Sequence, residues 1–491
     1  MPAELFPHQV RLLDTLRHEL AAGHKRVVVQ APTGYGKTIV GAVVARGVAA
    51  KGNRAVFTVP ALSLINQTVE KFRAEGITDI GVIQAKHRLT NPAAAIQVCT
   101  AQTLRRREIP PADIVLIDEI HIWHSFYDTW LADPTWANVP FVGLSATPWR
   151  KGLGKHFKLL IIGSTSAELI DTGYLSPFRA FAPSSPDLSG VRTVAGDYHE
   201  GDLARAVDKP KLVGDVVDTW IARAEGRPTI CFAVDCAHAR HLQEAFIRSG
   251  VPAGYIDANT PVDEREIIAA KFHAGEIKVV CNVGCLTTGI DWDVRCLVLA
   301  RPTRSRMLFV QMIGRGLRTA AGKADCLILD HSDNHARLGM VTTIGLDAVL
   351  DDGTKKHATP VVIGLRKCPE CFYLNELAAQ VCENCGHELI RQRRPIQIVD
   401  GNLVEITAPG IIDTDSPDAP TQFYRELMWI AQERGRHPHW QEARFHDRFG
   451  YWQHGLNHYT PLPPSNETLA FVQKCARAYA AAQAAKPEWA R

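Results

Sequence analysis

Residues 27–38 read VVVQAPTGYGKT, and the fold turns on what this stretch is. Three valines make a short β-rich run. The glycines that follow, Gly34 and Gly36, let a chain turn tightly and aim backbone amides at phosphate oxygens from the start of a helix. Lys37 adds positive charge for the β- and γ-phosphates, and Thr38 a hydroxyl for Mg²⁺. Ala31 stands where such loops usually carry their first glycine. The competing reading is a turn that holds no ligand. A β-run closed by Gly-Lys-Thr argues for the nucleotide.

Such a loop needs an acidic partner. IVLIDEIH, residues 114–121, offers four apolar residues as a buried strand. Asp118 and Glu119 then emerge at its C-terminal end, where open α/β sheets bind ligands. Asp118 can hold Mg²⁺ through water, and Glu119 can orient and deprotonate an attacking water; otherwise the pair is a solvated turn. Hydrolysis also needs positive charge near the leaving phosphate. QMIGRGLR, residues 311–318, spaces Gln311, Arg315 and Arg318 along one face of a helix. Alone, that face is solvated surface. Its place late in a second α/β unit predicts arginines that reach ATP across a closing cleft.

The same alternation extends outward in both directions. RVVVQ, AVFTV, AIQVC, DIVLID and FVGLS are separated by helical patterns across residues 1–182. PTICFAV, IKVVCN, RCLVLA and DCLILD repeat the arrangement across 203–345. Short apolar strands between amphipathic stretches predict parallel sheets covered by helices on both faces. A Pro-, Gly- and Ser-rich stretch at 182–202 predicts a hinge between two α/β domains. DDGTKKH at 351–357 reads as a hairpin turn or loop, and residues 420–491 as a helical module.

A chain of 491 residues, 46% apolar and 22% charged, has the composition of a globular protein of about three domains. With neither a signal pattern nor an apolar run of membrane-spanning length, the expected setting is cytoplasmic and away from membranes. The net charge of +3 neither argues for nucleic acid nor excludes it. Eight of the twelve cysteines, Cys99, Cys231, Cys281 and Cys326 among them, are scattered singly and read as reduced core thiols.

Taken in order, these motifs resemble those of superfamily 2 helicases of the DExH type, over roughly residues 1–340. FPHQ at 6–9 is similar to the adenine-reading Q element, APTGYGKT to motif I and DEIH to motif II. TVPALSLINQ at 58–67 and CTAQTL at 99–104 resemble motifs Ia and Ib, and LSATP at 144–148 motif III. NVGCLTTGIDWD at 282–293 resembles motif V and QMIGRGLR motif VI. More narrowly, VLARPTRSRMLFVQMIGRGLR and KADCLILDHSDN look like the bacterial RadD group and its phage-encoded relatives, a group linked to DNA repair and recombination. There Phe6 and His8 stand where arginine and tyrosine are usual.

The resemblance implies two tandem RecA-like domains and a set of roles. Gln9 would read adenine. Thr33, Gly34, Tyr35, Gly36, Lys37 and Thr38 would cradle the nucleotide, with Gly289 and Asp291 approaching from the second domain. Ser145, Thr147 and His121 would couple nucleotide state to closure. Pro60, Thr100 and Thr288 would lie near the backbone of a bound strand.

CPECFYLNELAAQVCENCGHE holds Cys368, Cys371, Cys382 and Cys385 as two C-x₂-C knuckles. Four thiolates suit one tetrahedral Zn²⁺, closed and therefore structural, in a ribbon at 366–390. RQRR at 391–394 follows as a phosphate-binding strip or a solvated linker. In the last segment Trp429, Trp440, Phe445, Phe449 and Trp452 interleave with arginines. That pattern suits a small helical core or stacking on single strands. The resulting expectation is an ATP-dependent DNA translocase or helicase using ATP, Mg²⁺ and Zn²⁺. Its partner would be single-stranded or branched DNA, with repair or single-strand-binding proteins as further partners. A nucleotide-gated binding protein, a restriction motor subunit and an RNA helicase are the alternatives.

Overall fold

The computed structural model describes residues 4–84, 87–287, 291–345, 349–354, 364–389, 419–437, 439–452 and 459–484. The chain divides into two compact units, Met1–Gln392 and Arg393–Arg491.

The first unit contains two parallel sheets of the RecA-like kind. In the first sheet the strands are β1 (Arg26–Gln30), β2 (Ala55–Val59), β3 (Ile80–Val82), β4 (Ile96–Thr100), β5 (Ile114–Asp118), β6 (Phe141–Ser145) and β7 (Leu159–Ile162). Their spatial order is β3-β4-β2-β5-β6-β1-β7. Val27, Val28 and Val29 are buried on both faces, as a central parallel strand requires. Register then sets the chemistry: Gln30 pairs with Ser145, and Asp118 with Leu144. The phosphate loop, Ser145 and the acidic pair therefore leave one edge of the sheet side by side, on strands about 4.8 Å apart.

The second sheet is preceded by a two-stranded hairpin and fed by an earlier strand. β8 (Phe178–Phe181) joins the sheet, β9 (Thr193–Val194) and β10 (Asp197–Tyr198) form the hairpin, and β11 (Thr229–Phe232), β12 (Ala253–Ile256), β13 (Val279–Asn282), β14 (Cys296–Leu299) and β15 (Cys326–Asp330) complete the sheet. The order is β12-β13-β11-β14-β15-β8. This moves the boundary read from sequence: Phe178–Phe181 falls inside 1–182 but pairs with β15, in the second sheet. A four-residue apolar run carries no sign of which sheet will take it.

Downstream, β16 (Leu365–Lys367) and β17 (Leu374–Glu376) make a small antiparallel ribbon. It caps the exposed edge of β8: Phe181 bridges Tyr373, and Ala182 N–H donates to the Phe372 carbonyl at 3.0 Å. Cys368, Cys371 and Cys382 share one buried cluster with Phe181 and the second sheet. An otherwise open edge strand is thereby covered.

In the second unit, helices Ala419–Glu433, His439–Phe449 and Asn466–Ala484 are described. Phe423, Tyr424, Leu427, Phe445 and Val472 form its core, with Trp429, Trp440 and Phe449 packed against it. Most of the aromatic pattern is thus a helical core; Trp452 is exposed. RQRR at 391–394, residue 390 of the ribbon and residues 485–491 lie outside the described residues, as does the end of DDGTKKH.

Candidate nucleotide site and cysteine cluster

Loop geometry explains the glycines. Gly34 and Gly36 both sit at φ +90°, in the left-handed region, and a Cβ on Gly36 would lie 2.5 Å from Gln9 Nε2. Gly36 caps the helix Lys37–Ala49, whose N-terminus faces the loop and favours anions. Lys37 Nζ donates to the carbonyls of Ala31 (3.1 Å) and Pro32 (3.2 Å). Burial lowers its pKa, against the pull of Glu119 and Asp118.

The Q element lies behind this loop. Gln9 is 1% exposed; its amide donates to the Tyr35 carbonyl and its oxygen accepts the Phe6 N–H, each at 3.0 Å. Tyr35 is itself buried and donates its hydroxyl to the His8 carbonyl at 2.7 Å. Gln9 therefore holds the phosphate loop from behind, by one hydrogen bond on each of its amide atoms. The aromatic surface at the cleft is Tyr174, beside Phe6 with centroids 4.7 Å apart. Sequence reading missed Tyr174, which belongs to no motif. An aromatic just before the crossover strand β8 was the available signal.

A cleft of about 320 Å³ gathers the loop, Asp118, Glu119, Asp291, Arg315 and Arg318. Burial and the neighbouring Glu119 charge raise the Asp118 pKa to about 7, against the pull of Lys37. Glu119 adopts φ +48°, a strained conformation of the kind found at functional sites. Thr38 and Asp118, a hydroxyl and a carboxylate that both line this cleft, fit the donor set of a magnesium–nucleotide site. Burial also lowers the Arg315 pKa to about 9, with Arg318 adding to the effect. Arg318 Nη1 meets Asp291 Oδ1 at 2.6 Å.

One feature of the expected helix changes. The helix Arg306–Gly316 ends before Arg318, because Lys323 Nζ draws the carbonyls of Gly316 and Arg318 inward, at 2.6 and 2.7 Å. Arg318 reaches the cleft from the turn beyond the helix. The helix itself lies against the phosphate loop at Gly314, where a Cβ would come 2.5 Å from Thr33 Cβ. Only glycine permits that approach.

A hydrogen-bonded relay joins the two sheets. Gln311 Nε2 donates to His121 Nε2 at 2.8 Å, and His121 Nδ1 lies 2.8 Å from Ser145 Oγ and 3.3 Å from Glu119 Oε2. With Nε2 accepting, Nδ1 carries the proton and donates. Burial lowers the His121 pKa and so favours this neutral form. Ser145 Oγ also accepts the Thr147 N–H at 2.9 Å, and Gln311 lies 3.4 Å from Thr147 Oγ1.

The strand-contact candidates divide. Pro60 lies partly buried just after β2. Thr100 is fully buried, and its hydroxyl caps the turn Ala101–Leu104 by accepting the Thr103 N–H; it is a scaffold for that turn, not a contact surface. Thr288 and Gly289 lie outside the described residues.

Away from the cleft, the Sγ atoms of Cys368, Cys371, Cys382 and Cys385 all lie within 4.8 Å of one another. Two pairs stand at 3.7 and 3.6 Å. A tetrahedral zinc with bonds of ~2.3 Å needs sulfur–sulfur edges of ~3.8 Å, so the cluster fits the ion. The residue after each second cysteine, Phe372 (φ +62°) and Gly386 (φ +74°), is left-handed, giving both knuckles the same turn.

Parallel sheets of this order, with a phosphate loop on one and arginines delivered from the other, define a nucleotide-hydrolysing motor core. The comparisons agree. Residues 2–150 match the family described as type III restriction enzyme, res subunit, and residues 208–320 the helicase conserved C-terminal domain. A 51.5 kDa protein of a Lactococcus phage is 28% identical over 74% of this chain and 78% of its own length. Saccharomyces cerevisiae "Putative ATP-dependent helicase IRC3" is 27% identical over 71% of this chain, which spans only 55% of that protein. The type ISP restriction–modification enzyme LlaBIII, solved bound to DNA, shares the fold with TM-score 0.50 at 15% identity, covering 67% of this chain and 28% of that one. The chain is an ATP-dependent enzyme of the superfamily 2 helicase type. Among the described residues no helix is long and apolar enough to cross a membrane.

Proposed function

We propose that this enzyme is a DNA-stimulated ATPase that moves on or remodels DNA, in the manner of the DExH type, in repair, recombination or phage replication. The observation that carries this reading is the hydrogen-bonded chain Ser145–His121–Gln311, with Glu119 Oε2 3.3 Å from the same imidazole nitrogen, which sets the hydrolytic carboxylate beside the contact to the second sheet. Glu119 orients and deprotonates the attacking water. Lys37 and the loop amides hold the phosphates, and Arg315 and Arg318 stabilise the charge that develops on the departing γ-phosphate. Thr38 and Asp118 would hold a Mg²⁺ ion, which would neutralise phosphate charge. Because Arg315 and Gln311 belong to one helix of the second sheet, hydrolysis requires the two sheets to stand closed on ATP, and each cycle becomes a stroke. The four cysteines hold one structural Zn²⁺ that fixes the ribbon on β8.

DNA is favoured by the DNA-bound LlaBIII fold relative and by the resemblance to the RadD group. ATP turnover measured with single-stranded DNA, duplex DNA and RNA in turn tests the assignment. Stimulation by DNA, strongest with single strands, is expected. Stimulation by RNA alone would transfer the motor to RNA, and equal rates with none of them would reduce the chain to a nucleotide-gated binding protein.

A further inference from the structure

The arginine helix is gripped at its start by a hydrogen-bonded network. Thr303, fully buried, sits two residues before the N-cap Ser305, whose Oγ accepts the Leu308 N–H at 3.2 Å. On one side Asn334 clamps the approach: Oδ1 accepts the Thr303 N–H at 2.9 Å and Nδ2 donates to the Arg301 carbonyl at 3.0 Å. Asn334 is held in turn by a fully buried pair on its own loop. Asp330 Oδ2 accepts from both His335 N–H and His335 Nδ1 at 2.8 Å, while Oδ1 accepts from Ser332 N–H and Oγ. The His335 ring stands edge-on to Phe309 of the helix, centroids 5.0 Å apart.

On the other side the grip comes from a distant segment. Asp197, at the start of β10, accepts Thr303 Oγ1–H on Oδ2 and Arg304 N–H on Oδ1, both at 2.7 Å. Arg304 Nη1 reaches Thr193 of β9 at 3.3 Å. The hairpin thus lies in the connection from β8 to β11, both strands of the second sheet, and it fixes the first turn of the helix that carries Gln311 and Arg315. A helix is stiff, and a shift at its N-terminus is delivered to Arg315 ten residues on, about 15 Å away. Misplacing a catalytic group by about 1 Å costs on the order of 10²-fold in rate.

We infer that Asp197 is a positioning residue for ATP hydrolysis: through Thr303 and Arg304 it sets where the helix begins, and thereby where Arg315 stands over the γ-phosphate. The inference rests on the arginine reading above, and the test separates the two. Turnover and binding of a fluorescent ATP analogue are measured for Asp197→Ala, Asp197→Asn, Arg315→Ala and the Asp197→Ala/Arg315→Ala double variant in the full chain. Asp197→Ala should lose about tenfold or more in kcat with analogue affinity within about twofold. Asp197→Asn keeps an oxygen for Arg304 N–H and leaves Thr303 Oγ1 an amide partner, so it should restore most of the rate. In the Arg315→Ala background the alanine at 197 should cost nothing further. The same multiplicative loss in both backgrounds, or an Asp197→Ala enzyme at wild-type rate beside a slow Arg315→Ala enzyme, overturns the inference alone. An Arg315→Ala enzyme at wild-type rate overturns the arginine reading, and the inference with it. Thr303→Val deletes the hydroxyl from the opposite side of the same contact and should reproduce the pattern if Asp197→Ala does not fold.

Discussion

The nucleotide cleft and the cysteine ribbon lie in the same unit but are assembled in opposite ways. Cys368 to Cys385 span eighteen residues, and their sulfurs meet because two short knuckles fold locally. The cleft needs Thr33–Thr38 from one sheet and Arg315 and Arg318 from the other, nearly three hundred residues later. The ribbon is a static site whose strength comes from closeness in sequence. The cleft, on the function proposed above, is a conditional site whose chemistry needs the two sheets to stand together. Substitutions in the two regions should therefore differ in kind: one set changes rate, the other changes local stability.

The largest effect belongs to the cleft. Glu119→Gln keeps the pocket and removes only the base, so turnover should fall by about 10² or more while an ATP analogue still binds. Lys37→Ala should lose both, since it removes the charge that draws the phosphates. Analogue titration beside steady-state turnover distinguishes them, and wild-type turnover in the Glu119→Gln enzyme would remove the base assignment.

Next comes the ribbon. Replacing Cys368 and Cys371 with serine should release about one zinc per chain and open the ribbon to proteolysis, because such small segments fold on their metal. Binding of the ATP analogue should survive. Elemental analysis of metal-replete, reduced protein gives the answer; a zinc content near zero in the wild type would end the metal reading.

Gln311→Ala cuts the relay without touching the phosphates. Losing one buried hydrogen bond of about 1–3 kcal/mol corresponds to roughly five- to 150-fold, and it should appear in kcat with analogue binding unchanged. A change confined to binding would place Gln311 in the pocket and not in the relay. Smallest is Gly386→Ala. Nothing lies within 4 Å of the added Cβ, so only the left-handed backbone opposes it, at roughly 1–2 kcal/mol. Faster zinc loss to a chelator, with ATP turnover unaltered, is the expected result.

Legibility in the sequence followed the same division. The ribbon could be read from spacing alone, since neighbouring thiolates need no tertiary information. The strands of both sheets were legible where apolar runs were long and bounded, as in VVVQ and IVLID. Those that escaped were short: β8 is four residues, and nothing local assigns it to the second sheet. In the cleft, the motifs supplied parts without contacts. Spacing placed Arg318 on the helix, where Lys323 in fact ends it. Gln9 was matched to adenine by its motif; the bonds that its amide makes to Tyr35 and Phe6 carry no sign in the sequence. Thr100 carried a motif position, yet burial makes it a cap. Tyr174 and Asp197 belong to no motif and matter through residues far away in sequence, which only the folded chain brings to them.

The central claim is that the cleft works only when the second sheet brings Arg315 to ATP bound on the first, and that DNA favours this closed arrangement. The most direct measurement is ATP turnover of the wild type and Arg315→Ala, each with and without single-stranded DNA, alongside analogue binding. The account predicts a wild-type rate that rises with DNA. For Arg315→Ala it predicts intact analogue binding and a rate about 10³-fold or more lower that DNA does not restore. An Arg315→Ala enzyme that hydrolyses ATP within tenfold of the wild type, and responds to DNA as the wild type does, would contradict it.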